Sequence, residues 1–185
     1  VVLNGDTLAV GAAQEDSNQT TITNGTTSSS NNSRARSGAV YVYKRTGTTW
    51  AQEAYIKASN NDANDESEWG LAIALDGDTL AVGATGEDSN QTTITNGTTS
   101  SSNNSNSNSG AVYVYKRTGT TWAQEAYIKA SNNDVDDCFG EVVALDGDTL
   151  AVGSEEDSNQ NTITNDNSTA SYNNSNSTSG AVYVL

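Results

Sequence analysis

Three near-copies of one unit occupy the chain, and this repetition constrains the fold more than any other feature. GDTLAVG starts at residues 5, 77 and 147, which gives spacings of 72 and then 70 residues. SGAVYV follows at 37–42, 109–114 and 179–184, and YKRTGTTWAQEAYIKASNND occurs at 43–62 and 115–134. Repeats of this length form small units that bury their apolar faces on their neighbours.

The copies divide the chain into three domains. Repeat 1 covers residues 1–66 with a truncated first strand, repeat 2 covers 67–136, and repeat 3 covers 137–185 without a fourth strand. About eleven strands are expected in all.

A complete unit contains four candidate strands. WGLAIALD, DTLAVGA, GAVYVYKR and TWAQEAYIKA are short, rich in β-branched and aromatic residues, and bounded by turn-forming residues. The Asp-Gly pair in LDGDT predicts a tight turn between the first two strands. Apolar residues do not keep a helical spacing over any long segment. Each unit is therefore predicted to be a four-stranded antiparallel sheet.

The strand faces predict how the sheets pack. Val112 and Val114 point to one side of their strand, and Tyr113 and Tyr115 point to the other. Both faces are apolar, so both must be covered. The fold class is therefore an all-β, β-propeller-like repeat of about three blades, with the first and last incomplete. It is either open or completed by neighbouring copies.

Charge and composition exclude several classes of function. The formal net charge is −15, which disfavours nucleic acid and anionic membrane surfaces and favours cations such as Ca²⁺. The sequence has no His and a single Cys, Cys138, so it offers neither an internal disulfide nor a multi-Cys zinc site. Cys138 is interpreted as a small, partly buried filler. No apolar run is long enough to insert into a membrane. Because residue 1 is not Met, a processed product or fragment is expected.

The ordered motifs resemble a known family. Trp69-Gly70 and Phe139-Gly140 open a first strand, and ALDGDTLAVGA, GAVYVY and GTTWAQEAYIKAS follow in order. This order is similar to that of FG-GAP repeats, the blades of the integrin α-subunit β-propeller, in the bacterial-type version with Trp in the fourth strand. The resemblance implies an extracellular or cell-surface propeller used for adhesion or binding and not for catalysis.

The resemblance also implies a place for a metal. Blades of the integrin type hold Ca²⁺ in the loop between strands one and two. The matching candidates are Asp76, Asp78, Asp146, Asp148 and Asp6, the last after Asn4-Gly5. Each loop supplies at most two acidic side chains, whereas Ca²⁺ takes six to eight oxygens, so a plain hairpin turn is the competing and favoured interpretation. A second acidic group before the FG position is expected to be a solvated loop; it comprises Asp62, Asp65, Glu66, Asp134, Asp136 and Asp137.

Three polar insertions of constant length separate strands two and three. They cover residues 12–36, 84–108 and 154–178, and are called insertions 1, 2 and 3. A flexible linker has little reason to keep its length, because loop closure costs rise slowly with size. The Asn-Gly pair in TTITNGTT predicts a hairpin at 20–27 and 92–99, with Asn165-Asp166 at the turn of insertion 3. Thr-rich, hydrogen-bonding faces are expected around Ile22, Ile94 and Ile163.

The insertions are also rich in acceptor sequences for N-glycosylation. The candidates are Asn18, Asn24, Asn31, Asn90, Asn96, Asn103, Asn167, Asn173 and Asn176. Because Ser and Thr are so abundant, a similar number would arise by chance, and bare polar loops remain an alternative to covalent glycans.

The expected function is that of an extracellular structural or adhesive repeat protein. The chain would be a subunit or fragment of a larger propeller array or filament, with self-association or further repeats covering its ends. The alternative is a ligand-binding propeller that recognises glycan or protein through the insertions. An enzyme with two catalytic carboxylates is disfavoured, because the acidic residues repeat with the blades. An ice-binding role of the Thr-Ile-Thr segments is a minor alternative.

Overall fold

The computed structural model describes residues 1–61, 69–158, 160, 163–164, 172–177 and 179–185. These residues form three antiparallel sheets, one per repeat. Sheet 1 contains β1 (Val2–Asn4), β2 (Thr7–Ala12), β3 (Thr23–Asn24), β4 (Ala39–Thr46) and β5 (Thr49–Ile56). Sheet 2 contains β6 (Ile73–Asp76), β7 (Thr79–Ala84), β8 (Thr95–Asn96), β9 (Ala111–Thr118) and β10 (Thr121–Ile128). Sheet 3 contains β11 (Val142–Asp146), β12 (Thr149–Ser154) and β13 (Ala181–Val184).

The predicted all-β, blade-like fold is confirmed. Strands one to four of each complete repeat pair in sequence order, as β1-β2-β4-β5 and β6-β7-β9-β10. Asp-Gly or Asn-Gly turns connect the first two strands of each sheet, and their tight geometry requires a positive φ at Gly5, Gly77 and Gly147 (55°, 53° and 57°). Glycine has no steric penalty in this left-handed region.

The predicted hairpin in insertions 1 and 2 is wrong. The residues before the Asn-Gly pair form short strands, but β3 pairs with β5 and β8 pairs with β10. The cause is a bulge in the fourth strand, where the carbonyl of Glu53 accepts the Gly25 N–H at 2.7 Å. Insertions 1 and 2 therefore cross their sheets and add a fifth strand at the outer edge, so sheets 1 and 2 are five-stranded where four strands were expected. The predicted turn at Asn165-Asp166 lies outside the described residues.

The sheets stack face to face in chain order. One face of sheet 1 packs against the face of sheet 2 that bears Leu80, Val82, Tyr113 and Tyr115. The opposite face of sheet 2, which bears Val112 and Val114, packs against sheet 3. Strand β9 is buried over all five residues of Ala111–Tyr115, as expected for a strand covered on both sides.

Two sheet faces remain outside this stack. The face of sheet 1 that points away from sheet 2 bears Leu3, Leu8, Val10, Tyr41 and Tyr43, and is called the leading face. The face of sheet 3 that points away from sheet 2 bears Val142, Ala144, Val182 and Val184, and is called the trailing face. Leu3 is 61 % exposed and Val182 is 72 % exposed.

The aromatic-Gly dipeptides explain how closely the sheets approach. Trp69 is buried at the first junction and Phe139 at the second. A Cβ on Gly11 would lie 1.8 Å from the carbonyl oxygen of Gly70, and a Cβ on Gly83 would lie 2.0 Å from that of Gly140. Glycine is thus required in strand two because the next repeat presses backbone against it.

Candidate functional site

Two buried lysine clusters fasten the insertions to their sheets. Lys57 follows β5, and its Nζ donates hydrogen bonds to Glu15 Oε2 (2.8 Å), Ser37 Oγ (2.7 Å) and the Gly38 carbonyl. In the next repeat Lys129 Nζ donates to Glu87 Oε2 at 2.6 Å and to Ser109 Oγ at 2.8 Å. Both lysine side chains are fully buried. The two clusters are therefore the same construction at equivalent positions.

The electrostatics of these clusters depend on the glutamates. Burial lowers the pKa of Lys57, and the hydrogen bond and charge of Glu15 oppose that effect. Each glutamate also accepts the backbone N–H two residues further on, from Ser17 or Ser89, at 3.1 Å. A buried ion pair contributes little net stability, but removing one partner leaves an uncompensated charge, which is costly. Removing the lysine would therefore destabilise the insertion that carries the paired glutamate.

Further hydrogen bonds hold the base of each insertion. Ser37 Oγ donates to the Ser17 carbonyl at 2.7 Å, and Asn61 Nδ2 donates to the carbonyls of Ser17 (3.0 Å) and Gln19 (2.8 Å). Ser109 and Asn133 make the corresponding bonds in repeat 2. Insertions 1 and 2 thus begin and end as ordered structure, as their constant length predicts.

The tip of insertion 1 also reaches the next sheet. The Asn24 side chain accepts the Trp122 N–H at 2.8 Å and donates to the Trp122 carbonyl at 3.3 Å. Glu53 Oε2 accepts the Trp122 indole N–H at 3.0 Å and the Arg117 guanidinium at 3.1 Å. Trp122 is 1 % exposed, whereas its counterpart Trp50 on the leading face is 42 % exposed. Polar contacts therefore reinforce the apolar junction between sheets 1 and 2.

The glutamate of this cluster recurs in repeat 3 as Glu156. Glu156 is 4 % exposed, and its Oε2 accepts Asn132 Nδ2 at 2.7 Å and the Tyr183 hydroxyl at 2.9 Å. Ser179 Oγ donates to the Glu156 carbonyl, as Ser37 does to Glu15. Burial raises the pKa of nearby Asp137 to about 6, and the negative charge of Glu156 adds to the increase.

The calcium candidates lie in separate turns and have other partners. Asp6 pairs with Arg45 and Asp78 with Arg117, each at 2.6 Å. Asp76 accepts a hydrogen bond from Asn4 Nδ2 at 3.2 Å and one from the Gly147 N–H at 2.8 Å. These bonds join the turns that connect the first two strands of each of the three sheets. Asp146 and Asp148 lie in the exposed turn between β11 and β12.

These positions do not favour a calcium site. Within the described residues no group of three or more acidic, Cys or His side chains is placed to hold a metal ion. The arrangement fits hairpin turns cross-linked by hydrogen bonds, and the calcium assignment remains a prediction. The expectation of a solvated loop for the second acidic group is wrong at Asp137, which is 2 % exposed and whose Oδ2 accepts the Asp134 N–H at 2.8 Å. Asp136 is exposed, and Asp62, Asp65 and Glu66 lie outside the described residues.

The glycosylation candidates lie on the surface where the structure describes them. The exposed asparagines are Asn18, Asn24, Asn31, Asn90, Asn96, Asn103, Asn173 and Asn176, and Asn167 lies outside the described residues. Asn31 Oδ1 accepts the hydroxyl of Ser33 in its own acceptor sequence at 2.6 Å, and Asn103 accepts that of Ser105 at 2.7 Å. Asn24 differs, because its amide is used at the sheet junction.

The lysine clusters were not predicted from the sequence. Their signal was present in the repetition itself. The tripeptide EDS starts at residues 15, 87 and 156, and a lysine sits inside the apolar segment AYIKA in repeats 1 and 2. A charged residue that recurs between buried residues indicates a buried partner of opposite charge.

Comparison with known families gives one result. A family model described as FG-GAP repeat matches residues 50–115 and 122–185, which together are more than half of the chain. Comparison with curated proteins found no match. Among the described residues, no helix is long and apolar enough to cross a membrane.

Proposed function

The chain belongs to the FG-GAP repeat family, and on this basis we propose that it is an extracellular structural and adhesive repeat protein. Repeats of this family generally occur in extracellular or surface proteins and serve structure or binding. The chain acts as a unit of a larger propeller array or filament. The polar insertions form the exposed, glycan-bearing surface of that assembly.

The observation that carries this proposal is the pair of unsatisfied sheet faces. Val182 and Val184 are 72 % and 69 % exposed on the trailing face, while their counterparts in sheet 2, Val112 and Val114, are buried against sheet 3. The leading face repeats the residue types with which sheet 2 contacts sheet 1. Large exposed apolar faces mark interaction sites.

The two faces differ from each other, so an interface between them is heterologous. Copies joined in this way extend into a filament unless the rotation between them closes a ring. A further repeat of the same type would cover either face by the contacts already seen between sheets 1 and 2 and between sheets 2 and 3.

Sedimentation velocity over a range of protein concentrations tests the assembly. The wild-type chain should form larger species as its concentration rises. The Val182→Lys/Val184→Lys variant should remain monomeric, because two ammonium groups on the trailing face would need to be buried. Ser102→Lys, on the exposed part of insertion 2, is the matched control and should assemble normally. A wild-type chain that stays monomeric at every concentration refutes the assembly.

Glycosylation is tested separately by mass. Native material should exceed the 19.2 kDa of the bare polypeptide, and peptide mapping should place glycans at Asn31 and Asn103 before Asn24. A native mass equal to that of the polypeptide would exclude glycans and leave a bare polar surface.

A further inference from the structure

Insertions 2 and 3 are each hydrogen-bonded to the repeat that precedes them. At the first junction Asn60, which lies just after the Lys57 cluster of repeat 1, donates from Nδ2 to the Ser101 carbonyl of insertion 2 at 2.7 Å and to Glu87 Oε1 at 3.2 Å. The Tyr113 hydroxyl of sheet 2 donates to Asn60 Oδ1. Both ends of this side-chain amide are therefore used across the junction between repeats 1 and 2.

The second junction repeats this arrangement. Asn132 Nδ2 donates to Glu156 Oε2 at 2.7 Å, and the Tyr183 hydroxyl donates to Asn132 Oδ1 at 2.7 Å. These three residues occupy the same positions in their repeats as the asparagine, glutamate and tyrosine of the first junction. Insertion 3 also reaches back at a second point, where the Tyr172 hydroxyl donates to the Ser131 carbonyl. A contact that recurs at both junctions belongs to the design of the repeat.

The glutamate contacted in this way is the one that holds the buried lysine of its own repeat. Glu87 Oε1 accepts Asn60, while Oε2 accepts the Lys129 ammonium and the Ser89 N–H. Glu87 is 1 % exposed, and a buried carboxylate that loses a donor is costly because water cannot replace it. The base of insertion 2 is thus hydrogen-bonded from both repeats, and separation of sheets 1 and 2 removes one of its donors.

The next asparagine along the chain serves a different insertion. Asn61 Nδ2 donates to the carbonyls of Ser17 and Gln19 in insertion 1, and Asn133 makes the equivalent bonds to insertion 2. Two adjacent asparagines therefore divide the work. Asn60 holds the insertion of the following repeat, and Asn61 holds the insertion of its own repeat.

We propose that Asn60 and Asn132 are latches that couple the closed conformation of insertions 2 and 3 to the stacking of each repeat on the preceding one. Loss of a latch opens the insertion at its base while the sheets stay stacked, because the apolar contacts of the junction are made by other side chains. The polar surface is then held in a fixed orientation only by a stacked pair of repeats. The latches lie inside one chain, so the proposal stands whether or not copies of the chain assemble.

Native-state hydrogen exchange on the full chain tests the latch at the first junction. Asn60→Ala should lower the protection factors of insertion 2 amides about tenfold or more, because it removes a hydrogen bond to a buried charged group. It should leave the protection of insertion 1 unchanged. Hydrogen-bonded reporter amides occupy equivalent positions in the two insertions, namely Gly25, Arg34 and Arg36 in insertion 1 and Gly97, Asn106 and Asn108 in insertion 2.

Asn61→Ala is the matched control, because it removes the neighbouring asparagine. It should lower the protection of insertion 1 and leave insertion 2 unchanged, which is the reverse of the pattern for Asn60→Ala. At the second junction Asn132→Ala should lower the protection of the Asn176 and Gly180 amides, which donate hydrogen bonds at the end of insertion 3. Insertion 1 should again be unaffected.

Unchanged protection of insertion 2 in a folded Asn60→Ala variant overturns the proposal. Equal losses in insertions 1 and 2 also overturn it, since Asn60 would then support the whole fold and not one insertion. Circular dichroism establishes that each variant is folded. Tyr113→Phe keeps the aromatic ring and removes only the hydroxyl that donates to Asn60. This milder variant should lower the protection of insertion 2 selectively but to a smaller extent, and a loss confined to insertion 1 would contradict the latch.

Discussion

The same substitution at the equivalent glutamates of repeats 2 and 3 should differ greatly in its cost to stability. Glu87 is 1 % exposed and accepts the Lys129 ammonium at 2.6 Å, with the lysine side chain fully buried. Glu87→Gln leaves that ammonium buried without a counter-charge, and breaking a buried pair in this way costs about 3–5 kcal/mol of the free energy of unfolding. Glu156 is 4 % exposed, and its hydrogen-bond donors within the part of the chain that the structure describes are the neutral side chains of Asn132 and Tyr183. Glu156→Gln keeps an oxygen that can accept from these two donors, and it removes a buried negative charge. It should therefore lower the free energy of unfolding by no more than about 1 kcal/mol, and an increase is compatible with the same reasoning.

Urea denaturation at neutral pH, followed by tryptophan fluorescence, measures the contrast. The double variant Glu87→Gln/Lys129→Met removes both charges and should recover much of the loss of Glu87→Gln, since a neutral buried pair is tolerated. Equal losses for Glu87→Gln and Glu156→Gln would refute the reasoning. They would show that burial of the side chain, and not the missing ammonium, sets the cost.

Three further outcomes follow from the geometry. Because the pKa of Asp137 is raised from 3.8 to about 6 in the fold, its ionisation destabilises the protein as pH rises through that range. Asp137→Asn should therefore be up to about 3 kcal/mol more stable than wild type by urea denaturation at about pH 8, and no different below about pH 3. Gly83→Ala places a Cβ 2.0 Å from a backbone oxygen and should lower the free energy of unfolding by roughly 3 kcal/mol or more. Gly153→Ala, whose Cβ would lie 3.5 Å from the nearest atom, should change it by no more than about 1 kcal/mol, and thermal denaturation compares the two variants. Asn24→Ala loses two hydrogen bonds to the next sheet and should cost about 1–2 kcal/mol, while the equivalent Asn96→Ala should cost less than about 0.5 kcal/mol in the same assay.

Much of the fold could be predicted from the repetition and the strand patterns. The apolar character of both faces in AVYVY correctly indicated a covered sheet, and β9 is buried on both sides. The Asp-Gly turns were also predictable, because their chemistry is local. The path of the insertions was not, since Asn-Gly is compatible with a hairpin or with a turn against another strand. The bulge at Glu53, 28 residues away from Gly25, decides between them.

In the candidate site, too, features set by neighbouring residues could be predicted from the sequence, and contacts between distant residues could not. The exposure of the asparagines followed from their polar surroundings. The Lys57–Glu15 pair could not be placed by local pattern, because 42 residues separate its members. Its chemistry is visible only when the three copies are aligned with each other. The burial of Glu156 beside Asn132 and Tyr183 could not be predicted either, because these partners lie 24 and 27 residues away in the sequence.

The two-residue strand at the rim of each complete sheet limits the direction in which material can be added. Strands β3 and β8 cap the outer edges of sheets 1 and 2, and strands this short offer little template for lateral pairing. Side-by-side aggregation of sheets, the usual hazard for a β-rich chain, is thereby suppressed. In the assembly proposed above, the leading and trailing faces would therefore remain as the surfaces for addition, and growth would follow the stacking axis. A segment composed of Ser, Thr and Asn would then set the dimensionality of that assembly.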